Sequence, residues 1–93
     1  MTDSAHDLAT RRRRLRFRCS HTGTRETDIL LGGFVTTHGD ALPEARVAEL
    51  ERLLDANDRD ILDWITERAA VPPIYTTPLM AALIDYVRNR HKL

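Results

Sequence analysis

The sequence predicts an all-α fold, a single compact bundle of five short helices, and three observations carry that prediction. Glycines and prolines fall in clusters, at Gly23, Gly32 with Gly33, Gly39, Pro43, Pro72 with Pro73, and Pro78, and they divide the chain into helix-sized pieces. Apolar residues inside the pieces recur at helical spacing, most clearly Met80, Leu83, Ile84 and Val87 at i, i+3, i+4 and i+7. No stretch alternates strictly between apolar and polar residues from one turn signal to the next, so a sheet is not supported. With 93 residues, the chain has room for one domain, residues 1–93, of which 1–5 are expected to be flexible.

The first helix is expected over Ser4–Cys19, with Leu8, Leu15 and Phe17 on an inward stripe and the arginines outward. The second, Arg25 to Thr36, carries Ile29, Leu30, Leu31, Phe34 and Val35, a wide apolar face that implies a central position. The third is expected to open at Pro43, where a missing N–H is harmless, and to run to about Ala56 with Val47, Leu50, Leu53 and Leu54 inside. Asn57 should cap the fourth, with Asp58 and Asp60 at the positive end of its dipole and Ile61, Leu62, Trp64 and Ile65 in the core. The two prolines of Val71–Thr77 predict an extended connector, after which Thr77 caps and Pro78 opens the last helix.

Composition removes several function classes. Fourteen basic side chains balance fourteen acidic ones, and 30% charged with 42% hydrophobic residues is ordinary globular usage. A single cysteine, Cys19, gives no intramolecular disulfide framework, and no apolar run approaches the ~18 residues of a membrane span. The start of the chain has no secretory pattern, and Asp3 and Asp7 are unlike a mitochondrial transit peptide, so the expectation is a bacterial cytoplasmic protein rather than one of the mitochondrial matrix. A bundle this small also leaves little room for a deep catalytic pocket.

The neutral total hides an asymmetry: six arginines face two aspartates between Met1 and Arg18, and nine acids face three arginines between Asp40 and Glu67. Either the fold presents one basic and one acidic face to partners, or the two segments attract one another inside it. Arg11 to Arg14 could neutralise phosphates, but neighbours on a helix spread around it, no second basic cluster follows, and aromatics make up only 5% of the chain. Nucleic-acid binding is therefore not expected. Cys19, His21 and Glu26 are too few for a zinc site, and His6, His38 and His91 stand in no paired spacing with them. A nucleophilic cysteine would need a base and an orienting group in a rigid cleft, so Cys19 reads as a packed thiol.

His21-Thr22-Gly23-Thr24-Arg25-Glu26-Thr27-Asp28 gathers charge at the entrance of the most apolar helix. It has two readings. With Gly23 as N-cap, Glu26 can reach back as half of a capping box while Asp28 favours the same dipole end. Alternatively, Gly23 lets another protein's backbone approach while Arg25 and Glu26 offer it opposite charges.

At these residues the chain resembles the succinate dehydrogenase assembly factors, the FAD assembly or flavinylation factors of bacteria and mitochondria. That family's Arg-Gly-x-x-Glu signature, with an acidic residue and a Leu-rich helix after it, is matched by Gly23, Glu26, Asp28, Leu30, Leu31, Gly32 and Phe34. A second block, Glu51, Leu53, Leu54, Asp55, Asp58, Asp60, Leu62, Trp64 and Ile65, is similar to the family's Glu-x-Leu-Leu-Asp, Asp-x-Asp and Trp-Ile run. Thr22 stands where the signature has arginine and cannot make a guanidinium's bidentate contact, so Arg25 or Arg18 is expected to supply part of it.

The resemblance implies a non-enzymatic, monomeric five-helix factor. It would bind the flavoprotein subunit of succinate dehydrogenase or fumarate reductase and promote covalent FAD attachment there, holding no cofactor stably itself. Gly23, Arg25, Glu26 and Asp28 are the expected partner-binding residues, with His21 and Arg18 beside them. The contrasting reading is a regulatory or antitoxin-like module that binds protein or nucleic acid through its arginine helix.

Overall fold

Helical periodicity and capping chemistry place five α-helices among the described residues: α1 (Ser4–Cys19), α2 (Arg25–His38), α3 (Glu44–Leu53), α4 (Asp58–Ile65) and α5 (Pro78–Asn89). The structure, a computed structural model, describes residues 4–90 and their side chains from Asp7 onward. Among these residues there is no strand, and the expectation for residues 1–5 lies outside the described side chains.

The buried arc of α2 begins one turn earlier than its apolar residues suggest. Thr27, Leu30, Leu31, Phe34 and Val35 are buried at i, i+3, i+4, i+7 and i+8, so the threonine takes the slot that sets the phase. Ile29, expected inside, falls off that arc and is 48% exposed. The Thr27 hydroxyl is accommodated because it donates to the Asp58 carbonyl at 3.3 Å. As expected, α2 is central: it packs on α1, α4 and α5, while α3 closes the bundle against α1 and α5. Leu50 of α3, Ile65 of α4 and Leu83 of α5 are fully buried in the core cluster.

Phase also corrects α1. Leu15 and Cys19 are buried and Leu8 packs at the core's edge, but Phe17 follows Leu15 by two residues, about 200° around the helix. It therefore stands on the outer face, 66% exposed. Cys19 has no exposed surface, and burial pushes its thiol up to about 12.

The arginines of α1 do not all face outward. Arg11 is half-buried and grips Glu51 of α3 through two bonds of 3.1 and 2.7 Å, with Glu44 at 3.2 Å, which raises its already high pKa. Arg12 donates to the Leu42 carbonyl, Arg16 pairs with Asp40, and Arg18 lies 3.7 Å from Asp55. Much of the segregated charge is thus consumed by attraction between the basic helix and the acidic segment.

Helix ends follow local chemistry with small displacements. Pro43 is the N-cap of α3 rather than its first residue, and the helix stops at Leu53, before a turn through Ala56. Asn57 caps α4 by accepting from the Arg59 N–H at 2.9 Å, and Thr77 caps α5 by accepting from the Met80 N–H at 3.1 Å. Glu49 of α3 accepts a further α5 donor, the Leu79 N–H, at 3.1 Å. The Val71–Thr77 connector is not fully extended, since Pro73–Tyr75 forms a 3₁₀ turn. Trp64 is half-buried beside the core rather than within it, with its ring 5.2 Å from that of Tyr75, and so holds this turn against α4. After α4, Glu67 takes a left-handed conformation at φ 64°, and its carboxylate is gripped by Arg88 through two 2.6 Å bonds that lower its pKa.

Candidate functional site

The loop between α1 and α2 is shaped by a reversal that only glycine adopts easily. Gly23 has φ +108°, so the chain turns there and delivers Thr24, not Gly23, to the N-cap position of α2. Thr24 makes no side-chain cap bond, and the expected capping box does not form. Its hydroxyl instead donates to the Asp58 carboxylate at the start of α4. Together with the Thr27 bond to the Asp58 carbonyl, this ties the first turn of α2 to the first turn of α4. The two motif blocks, some thirty residues apart in sequence, meet at Asp58.

Asp28 holds the other side of the loop. Its Oδ1 accepts from the Thr22 N–H at 2.6 Å and from the Thr22 hydroxyl at 2.5 Å, and the side chain is half-buried. The carboxylate therefore faces its own loop. Thr22, where the signature has arginine, is the donor in this contact, and a threonine's short hydroxyl fits it. His21 is exposed, with Nδ1 2.7 Å from the Phe17 carbonyl and its ring stacked on Phe17 at 4.0 Å. Arg18 reaches away from the loop, toward the Leu54 carbonyl at 3.5 Å and Asp55.

Arg25 and Glu26 differ from all of these. Both are exposed at the first two positions of α2, and among the described residues neither has a hydrogen bond or ion pair. Glu26 borders a shallow open groove of about 640 Å³ that also takes in Ile29, Thr66, Arg68 and Arg90. Beside the glycine, a Cβ would first meet the Asp58 carboxylate at 3.5 Å, so the surface next to Gly23 is open to a close approach. The sequence did not single out Asp58, Thr24 and Thr27 as the frame of this loop. Asp58 read as a dipole acid, and no local spacing signals a contact between separate helices.

The loop, framed by the Asp28 and Asp58 hydrogen bonds, thus presents two opposite charges that are unpaired among the described residues on a small helical bundle. In comparison with known proteins, residues 13–87 match the family described as the flavinator of succinate dehydrogenase. The chain belongs to this family of assembly factors, as its two motif blocks led one to expect. It is 39% identical over 84 residues to the FAD assembly factor SdhE of the bacterium Acetobacter pasteurianus, covering 90% of this chain and 77% of the relative. It is also 35% identical over 88 residues to succinate dehydrogenase assembly factor 2-B, mitochondrial, of Drosophila persimilis, and 34% identical over 88 to that of Drosophila melanogaster. Those alignments cover 92% of this chain and 56% of each fly protein, so the chain spans about half the length of its fly relatives. No described helix is long and apolar enough to cross a membrane.

Proposed function

We propose that this chain docks on the flavoprotein subunit of succinate dehydrogenase, or of the related fumarate reductase, and promotes covalent attachment of FAD to a histidine of that subunit. It acts as a monomer in the bacterial cytoplasm, and the FAD belongs to the partner. The observation that carries the reading is the contrast within the loop: Asp28, Thr24 and Thr22 are engaged in holding its shape, while Arg25 and Glu26 are held out unpaired. Gly23 admits the partner's backbone, and Arg25 and Glu26 make charge-assisted hydrogen bonds to it. Arg25 also stands in for the signature arginine that Thr22 replaces, since Arg18 is directed toward Asp55.

The chemical role is orientation. Docking fixes the flavoprotein in a conformation that aligns its histidine with the flavin and shields the pair from water, which lowers the barrier without a nucleophile from the factor. Nucleic-acid binding through α1 is disfavoured, because Arg11, Arg12, Arg16 and Arg18 already have acceptors within the fold.

The test is co-purification with the flavoprotein subunit, scored by covalent flavin fluorescence in a denaturing gel with and without this chain. Wild-type chain should raise the signal and Glu26→Ala should abolish most of it. Because Glu26 makes no cap bond, Glu26→Ala should lose only a dipole contribution of about 0.5 kcal/mol, or roughly 2–4 °C of melting temperature. Flavin attachment that is indifferent to the chain would overturn the proposal, as would a Glu26→Ala variant that melts far lower yet attaches flavin normally.

A further inference from the structure

Helical geometry divides the arginine run of α1 into two sets. Arg11 and Arg12 turn toward α3 and the Leu42 carbonyl, and Arg16 and Arg18 find Asp40 and Asp55. Arg13 and Arg14 are exposed and, among the described residues, have no hydrogen bond or ion pair. They lie four and three residues before Phe17, so the three side chains share one outer stripe. His21 extends the stripe by stacking on Phe17. A large aromatic left 66% exposed beside two unneutralised guanidiniums has the composition of an interface core rather than of an ordinary solvated helix face.

We propose that Arg13, Arg14, Phe17 and His21 form a second docking surface, which receives an acidic segment of the same flavoprotein subunit. This rests on the function proposed above. Charge complementarity selects the occupant, since among the described residues the two cations have no counter-charge of their own. A nucleic acid is a poorer fit: His21 already covers one face of Phe17, the only exposed aromatic ring on the stripe besides its own, so little is left for a base to stack on. The stripe is also continuous with the Gly23 loop, through a groove of about 240 Å³ between Phe17, His21 and Thr22 on one side and Leu54 and Ile61 on the other. Contact at both places would fix the factor's orientation on its partner, which a single loop contact leaves free to swivel.

The two parts of the stripe should act on different rate constants. Exposed charges at an interface mainly steer association, whereas a buried aromatic mainly slows dissociation. Binding kinetics with the purified flavoprotein subunit, followed from about 50 to 300 mM salt, separate them. The double variant R13E/R14E should associate about tenfold more slowly at low salt and show a flatter salt dependence, while R13K/R14K keeps the wild-type rate. Phe17→Ala should dissociate about tenfold faster with association unchanged. Circular dichroism checks that each variant is folded, and because none of these side chains supports the core, folding should be retained. Wild-type kinetics in a folded R13E/R14E variant, alongside normal wild-type binding, overturn the stripe alone. Tighter binding of the wild-type chain to a single-stranded or duplex oligonucleotide, lost in R13E/R14E, overturns it in favour of nucleic acid. Failure of the wild-type chain to bind the flavoprotein overturns both readings.

Discussion

Replacing Asp28 tests whether the loop before α2 is held from within. The carboxylate accepts two hydrogen bonds from Thr22, at 2.6 and 2.5 Å, and both end on the same oxygen. A hydrogen bond to a charged group contributes about 1.5–3 kcal/mol. Asp28 is half-buried, so water can re-solvate the freed Thr22 N–H, and the pair should be worth about 1.5–2 kcal/mol rather than the sum of two full bonds. At about 4–8 °C per kcal/mol for a domain of this size, Asp28→Ala should melt roughly 6–16 °C below wild type. Asp28→Asn keeps an acceptor but loses the charge, and should recover about half of the loss. Thermal melts followed by circular dichroism supply the stability, and amide hydrogen exchange at Thr22 reports the bond directly, with faster exchange expected in Asp28→Ala. Flavin attachment should fall in step with the loosened loop. A melting temperature within about 2 °C of wild type, with unchanged Thr22 exchange, refutes the buttress. If that variant also failed to bind the flavoprotein, Asp28 would be touching the partner instead.

Gly23→Ala has room for its methyl group, with the nearest atom at 3.5 Å, so its effect comes from the backbone angle of +108° alone. It should destabilise by about 1–2 kcal/mol in urea or thermal unfolding, and a variant as stable as wild type would show that the loop has another conformation available. Cys19 predicts an alkaline loss of stability. Its thiol titrates at 9.0 when exposed and at about 12 when folded, so the neutral form stabilises the native state fully below pH 9, and this contribution declines as pH rises from there toward 12. The slope, about 1.4 kcal/mol per pH unit at most, should disappear in Cys19→Ala, and native Cys19 should resist thiol reagents below pH 9. Asp58→Ala removes the acceptor of the Thr24 hydroxyl. It should lower the melting temperature and speed proteolysis between Thr22 and Thr27, whereas confinement of the effect to the start of α4 would contradict the link between the two motif blocks.

What the sequence determined by itself was everything that depends on neighbours along the chain. The spacing of Met80, Leu83 and Val87, the caps at Asn57 and Thr77, and the Pro78 start are satisfied within one or two turns of helix, so they are legible without the rest of the molecule. The family could be read for the same reason, because its two signatures are short runs of adjacent residues.

Tertiary structure decided which way each helix is rolled and which charges remain free. Thr27 sets the phase of α2 only because the Asp58 carbonyl on another helix accepts its hydroxyl, and that contact turns Ile29 outward. Phe17 is exposed because Leu15 and Cys19 claim the inner face of α1. Among side chains that all read as charged, only packing distinguishes Arg11, clasped by Glu51, from Arg13 and Arg14, and Asp28, folded onto Thr22, from Glu26. A side chain's charge is written in its identity, but whether that charge is available to a partner depends on which distant groups the fold brings within about 3 Å of it.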